Sequence, residues 1–257
     1  SKLNYPTDMA YSDMLSDHDI WGTNTVLADM VFRPKTIYEK YIWDNVLHIP
    51  DSISHIGNFA FSGGIFSFKG ELHIPDSVVS IGQNSFASIC FRGDLYIPNS
   101  VTFIGDGAFS GCGFTGKLHI SNSATMIGNL AFFNCKGFIG ELHIPDSVTI
   151  IGGGAFCDCS GFTGELHIPE SVLSIDDNAF YGCSGFTGEL HIPESLKTIG
   201  TDVFFGCHFT KYIFHGMDLD MDISYLKEED PIICAKPNSI MEKRARKLGF
   251  RFEYLEE

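Results

Sequence analysis

The feature that most constrains the fold is a repeat that returns every 23 to 25 residues. Residues 161–171 and 185–195 carry the same eleven letters, GFTGELHIPES. A Leu followed by x-Ile marks each unit, and these leucines are Leu47, Leu72, Leu95, Leu118, Leu142, Leu166 and Leu190. Self-similarity of this length is typical of solenoids, whose units bury their apolar faces against one another. The sequence therefore predicts an α/β solenoid, a right-handed stack of seven to eight units with a parallel sheet.

One unit shows how its residues divide between inside and outside. In residues 164–187, the segment 165–168 (Glu-Leu-His-Ile) alternates outward and inward, as a half-buried strand does. Pro169 removes a backbone donor and ends the strand. The segment DDNAF at 176–180 predicts a short helical turn, which Asp176 or Asp177 would cap. Short strands and such turns should line the side opposite the sheet.

Stacked units align equal positions into ladders that no single unit can bury alone. One ladder contains Ile56, Ile81, Ile104, Ile127, Ile151, Ile175 and Ile199. A second contains Phe61, Phe86, Phe109, Phe132, Phe156, Phe180 and Phe204. A third contains Phe68, Phe91, Phe114, Phe138, Phe162, Phe186 and Phe209. Two buried Phe ladders account for the unusual abundance of this residue, 23 copies in 257 residues.

The pattern L-H-I-P-x-S-V-x-x-I-G-x-x-A-F-x-G-C, from 47 to about 211, resembles the BspA-like leucine-rich repeats, also called the Treponema pallidum type. The chain departs from the usual family text before the turn, where GFTGELHIP replaces the commoner Ser-Leu-Thr-Ser-Val-Thr-Ile-Pro. The resemblance implies a leucine-rich-repeat-like solenoid without enzymatic activity. It also implies a bacterial cell-surface or extracellular protein that binds a macromolecular partner, such as a host matrix protein or a neighbouring cell.

Three segments are expected from the extent of the repeat. Residues 1–46, which contain Trp21 and Trp43, should form a partly helical N-terminal cap, and residues 47–215 should form the solenoid. Residues 216–257 should form an acidic loop and a C-terminal cap. The resemblance implies that this cap has a strand, a helix opened by Asn238 or Ser239, and a last strand near 250–254.

Composition and motifs exclude several classes of function. The formal net charge of −15 argues against nucleic acid and anionic membranes as partners. No apolar run reaches the roughly 18–20 residues that span a bilayer. The chain has no G-x-S-x-G, P-loop or H-E-x-x-H motif. We therefore expect no enzyme and no cofactor.

Exposed strand positions carry the candidate contact residues. The residue after each repeat Leu is His in every unit except the third, where it is Tyr96. The predicted partner-binding residues are His143, His167, His191, Glu141, Glu165, Glu189 and Tyr96. Tyr96 would be an aromatic anchor where the His column breaks. Two alternatives use the same surface: imidazoles on neighbouring rungs could bind Zn²⁺ with Glu, and aromatic side chains could bind carbohydrate. A structural spacer is a further alternative.

A cysteine column accompanies the repeat at Cys112, Cys135, Cys159, Cys183 and Cys207. It could be a disulfide or thiolate framework, but free Cys also fills a core as a small apolar side chain. An odd column of parallel side chains forms no natural pairs, which favours the second interpretation.

Overall fold

The computed structural model describes residues 26–27, 42–61 and 68–256, the first pair for its backbone alone. The described chain is a parallel β-solenoid of about nine turns with few helices. The predicted solenoid is thus confirmed. Its strands are short because each turn must bend at several corners, and Gly or Pro lies at many of them.

One side of the solenoid is a continuous parallel sheet, which we call the Ile face. Each repeat Ile pairs in register with the Ile of the next unit. In spatial order its eight strands are Val26–Leu27 (β1), His55–Ile56 (β4), Ser80–Ile81 (β6), Phe103–Ile104 (β8), Met126–Ile127 (β10), Ile150–Ile151 (β11), Ser174–Ile175 (β12) and Thr198–Ile199 (β14). Because β1 extends this sheet, part of the predicted N-terminal cap continues the stack.

A second side, the His face, is formed by the Leu-x-Ile segments. Its strands are Ile42–Trp43 (β2), Val46–His48 (β3), Glu71–His73 (β5), Leu95–Tyr96 (β7), Leu118–His119 (β9), Thr187–Ile192 (β13) and His208–Phe214 (β15). Strands β2 and β3 are antiparallel, and the other pairs are parallel. In β5, β7, β9 and β13 the Leu and Ile of the motif are buried and the residue between them is exposed, as the alternation predicts. His48 in β3 is half-buried, and Ile213, the corresponding residue of β15, is buried.

The third side consists of turns, so the expected helical turn over 176–180 is wrong. There the amides of Asn178 and Phe180 donate to the carbonyls of Thr201 and Val203 in the next unit, at 2.9 and 3.0 Å. Asn178 has a φ of 58°, in the left-handed region, so the segment is not a turn of right-handed helix. Asp177 does not cap a helix either, because its Oδ1 accepts from the Thr201 amide at 2.7 Å.

The core consists of the predicted ladders. Along the first Phe ladder, from Phe61 to Phe204, ring centroids lie 4.9–5.7 Å apart and nearly parallel. The second Phe ladder stacks from Phe91 to Phe209 at 5.2–6.1 Å. Edge-to-face contacts join the two ladders within a unit, a geometry that aromatic pairs favour.

The five-cysteine column points inward and is fully buried, which confirms the interpretation as small core side chains. Each thiol donates to a Phe carbonyl of the first Phe ladder in an adjacent unit, at 3.0–3.3 Å. Burial raises the pKa of the Cys135 thiol to about 12. These thiols are therefore neutral at physiological pH and poorly nucleophilic.

The C-terminal segment has the order that the resemblance implies. A 3₁₀ helix at Ser224–Glu228 is followed by Ile232–Ala235 (β16), the helix Ile240–Leu248 (α1) and Arg251–Tyr254 (β17). Ser239 caps α1 by accepting from the Glu242 amide at 3.1 Å, and Glu242 accepts from the Asn238 amide at 2.6 Å. The arrangement is close to a capping box, except that the carboxylate of Glu242 binds the amide of the residue before the N-cap. The partly helical N-terminal cap, with Trp21, falls mostly outside the described residues.

Candidate partner-binding face

The predicted contact residues form two exposed columns on the His face. His143, His167 and His191 are exposed in three consecutive units, and so are Glu141, Glu165 and Glu189. Their leucine neighbours, Leu142, Leu166 and Leu190, are at most 3% exposed and fix the strands to the core. The backbones of His167 and His191 form a parallel bridge, so these two rows are adjacent.

A second acidic column, which the motif analysis overlooked, lies on the other side of the histidines. In the same three units it consists of Asp146, Glu170 and Glu194, all exposed. Each follows the Pro of the Leu-x-Ile-Pro motif. Because acidic residues are common in turns, the sequence at this position indicates a turn rather than a binding surface. The histidines therefore lie between two columns of carboxylates, in rows that repeat three times.

Tyr96 interrupts the His column, as predicted, and is 54% exposed. It pairs in register with His119, and the two rings lie 5.9 Å apart. Beside it, the Asp94 Oδ1 accepts from the Lys117 amide at 2.7 Å. The third and fourth units are less acidic than the last three, since Asn99 and Asn122 replace carboxylates after the strand. The face therefore combines a protruding aromatic region with a strongly acidic one.

Ring contacts at the two ends of the His column add Trp43 and His215, which lie outside the repeat motif. Trp43 stacks on His48 with ring centroids 3.7 Å apart, and His48 lies 5.6 Å from His73. At the other end, Nδ1 of His191 lies 2.9 Å from Nε2 of His215. One imidazole donates to the other, which requires complementary tautomers.

These end contacts affect protonation. Burial and the neighbouring His73 lower the pKa of His48, with Asp44 opposing. Burial and His191 lower the pKa of His215, and Glu170 and Glu194 oppose this shift while Lys236 adds to it. The folded protein thus favours the neutral form of both imidazoles.

Acidification should therefore destabilise the fold through His48 and His215. Because their pKa is lower in the folded state, the unfolded chain binds more protons below about pH 6.5. The free energy of unfolding should decrease as the pH falls from 7.5 to 5.5, measured as the urea midpoint at each pH. The variant His48→Asn/His215→Asn should show a smaller decrease, and an equal decrease would contradict this assignment.

The metal and carbohydrate alternatives each require a particular arrangement of exposed side chains. In ranges 42–61 and 68–256, no three His, Cys, Asp or Glu side chains are placed to hold a metal ion together. A row of aromatic residues does occur on the turn side, where Tyr181 and Phe205 stack at 5.0 Å. Their ring faces cover each other, whereas a sugar platform needs open ring faces.

The fold and its exposed face define a class, the leucine-rich repeat solenoids that use an extended surface for recognition. The sequence model of the BspA type leucine rich repeat region matches residues 35–163 and 162–220, in six copies. The chain therefore belongs to the BspA-type leucine-rich repeat family. Solenoids of this family are generally non-enzymatic.

Two solved structures show the same fold. A leucine-rich repeat protein from Eubacterium ventriosum is 19% identical with a TM-score of 0.58, and the match covers 72% of this chain and 47% of that one. The chain thus spans about half the length of that protein. The leucine rich repeat protein of T. pallidum is 24% identical with a TM-score of 0.54, over 81% of this chain and 85% of that one. No curated protein matches the sequence. No helix in the described ranges is long and apolar enough to cross a membrane.

Proposed function

We propose that this chain is the recognition part of a cell-surface or secreted bacterial protein and that it binds a protein partner through its His face. The observation that carries the proposal is the threefold repetition of an exposed carboxylate–imidazole–carboxylate row, on the same face as the exposed Tyr96 two units earlier. Such a face offers hydrogen bonds, negative charge and one aromatic side chain suited to a buried contact.

The arrangement favours a protein partner over a carbohydrate. Trp43 and Tyr96, the exposed aromatic residues of this face, lie three units apart in the stack, and the ring of Trp43 is covered by His48. The rows instead supply closely spaced acceptors at the ~4.8 Å strand spacing. Carboxylates in such an array pair well with Arg and Lys side chains of a polypeptide.

The test is binding of the purified chain to an immobilised panel of matrix proteins, mucins and glycans at physiological salt. The variant His143→Ser/His167→Ser/His191→Ser should lose at least tenfold in affinity for the partner found. The control variant Thr125→Ser/Thr149→Ser/Lys197→Ser changes the neighbouring Ile face and should bind as the parent does. Equal binding by all three proteins, or binding to glycans alone, would contradict the proposal.

A further inference from the structure

An apolar stripe runs across the middle of the Ile face. Phe103, Met126 and Ile150 pair in register on three consecutive strands, and Leu173 lies on the next unit, one position before Ser174, the register partner of Ile150. One exposed cation, Lys197, lies beyond this end of the stripe, where its amide donates to the Leu173 carbonyl at 2.9 Å. Phe103 is 44%, Ile150 38% and Leu173 46% exposed, and Met126 is half-buried. Four strands at 4.7–4.9 Å give the stripe a length of about 14 Å.

The apolar residues of the stripe occur in only some of the repeat units, so duplication of one unit does not account for them. The buried Ile ladder is unchanged through these units. The outward position beside it is polar at both ends of the sheet, as His55, Ser80, Ser174 and Thr198. Core packing places no demand on an outward side chain. Contiguous apolar residues at free positions indicate a surface that is covered by something else.

Negative charge borders the stripe on both edges. Asp106, Asp176 and Asp177 are exposed on the edge that leads to the turns, and Asp146 and Glu170 on the edge shared with the His face. The strand positions between the edges, from 79–80 to 173–174, carry no charge. Asp106 and Asp177 are held in place because their Oδ1 atoms accept from the amides of Asn129 and Thr201 in the next units.

This charge pattern indicates which kind of molecule could cover the stripe. A second copy of the chain would bring the same acidic edges and a net charge of −15 against this face. An anionic membrane would be repelled likewise. A polypeptide whose apolar side chains are flanked by Lys or Arg complements both the stripe and its edges. An amphipathic helix of about ten residues would cover the length of the stripe.

We propose that the Ile face is a second docking surface, distinct from the His face, for a basic amphipathic polypeptide segment. Its apolar side chains pack on Phe103, Met126, Ile150 and Leu173, and its basic side chains pair with the flanking carboxylates.

The probe is a fluorescent 18-residue peptide of Leu and Lys whose lysines flank a leucine face, followed by anisotropy at physiological salt. The variant Phe103→Ser/Ile150→Ser/Leu173→Ser leaves the net charge unchanged and should bind at least tenfold more weakly. The control Ile139→Ser/Phe205→Ser/Met217→Ser removes exposed apolar side chains elsewhere. It should bind as the parent does, and so should the His143→Ser/His167→Ser/His191→Ser variant.

A second variant tests the edges and keeps the stripe intact. Asp106→Asn/Asp146→Asn/Asp177→Asn retains acceptors for the inter-unit hydrogen bonds and should weaken binding several-fold, with a smaller dependence on salt. The proposal is overturned if the parent does not bind, if the stripe variant binds like the parent, or if the His variant loses binding. It is also overturned if sedimentation shows a parent dimer that the stripe variant lacks, because the occupant is then a second copy.

Discussion

Replacing Phe156 with Ala should lower the free energy of unfolding by about 4 kcal/mol. Phe156 is fully buried, and its ring lies 5.3 Å from Phe132, 5.4 Å from Phe180 and 6.4 Å from Phe162. The neighbouring units cannot close around the cavity, because hydrogen bonds between turns fix their spacing. Urea denaturation followed by far-UV circular dichroism measures the loss.

The matched control is the same substitution at an exposed position, Phe103→Ala. Phe103 is 44% exposed and lies outside both Phe ladders. Its loss should cost about 1 kcal/mol or less. If the two substitutions reduce stability equally, the stacked ladder is not the main source of the solenoid's stability.

The repeat made the fold predictable because one physical requirement acts at every unit. A side chain that faces the core must fit the copy above and below it, so buried positions such as Phe156 recur at a fixed spacing. The Ile and Phe ladders could therefore be assigned from spacing alone. The cysteine column follows the same logic, since its hydrogen bonds to Phe carbonyls repeat in each unit.

The helical turn was predicted wrongly because DDNAF was interpreted in isolation. Asp176 and Asp177 are good capping residues, so the segment by itself favours the start of a helix. In the stack, the next unit offers carbonyls at 2.9–3.0 Å to Asn178 and Phe180. Contacts between units thus override a local preference, and a single unit does not contain that information.

The His face was only partly predictable for a related reason. The exposure of the His column follows from alternation along each strand, but the contact between the rings of His191 and His215 does not. In β15 the register places Ile213, not His215, opposite His191. His215 reaches the ring of His191 from beyond the strand. The eighth unit, which begins at Tyr212, departs from the repeat pattern, so its contacts could not be inferred by comparison with the other units.

The apolar stripe was hidden by the shortness of the Ile strands. A strict alternation through Val148, Thr149, Ile150 and Ile151 would place Ile150 inside with Val148. The chain instead bends before β11, so that Val148 and Ile151 are buried while Ile150 is exposed. Corners of this kind shift the inward and outward pattern by one residue.

Replacing Gly185 with Ala should reduce stability by about 3 kcal/mol, because the added methyl group has no room. Its Cβ would clash with the carbonyl oxygen of Phe162 and lie 3.0 Å from that of Ser160. Both atoms belong to the backbone of the adjacent unit and cannot move without shifting the Phe162 rung. The same close approach recurs at Gly137 and Gly161, so this glycine column sets how closely the units stack.

Gly216→Ala is the matched control for this prediction. An added Cβ there would meet only the Glu194 backbone, at 3.7 Å or more, which is ordinary van der Waals contact. That substitution should leave the urea midpoint unchanged or raise it slightly, since Ala restricts the unfolded chain. Gly185→Ala should lower the midpoint and weaken the near-UV signal of the stacked Phe rings. If both variants unfold at the parent's midpoint, the neighbouring units can separate enough at this corner to accommodate the methyl group. The Phe ladders, and not the glycine column, would then set the spacing of the stack.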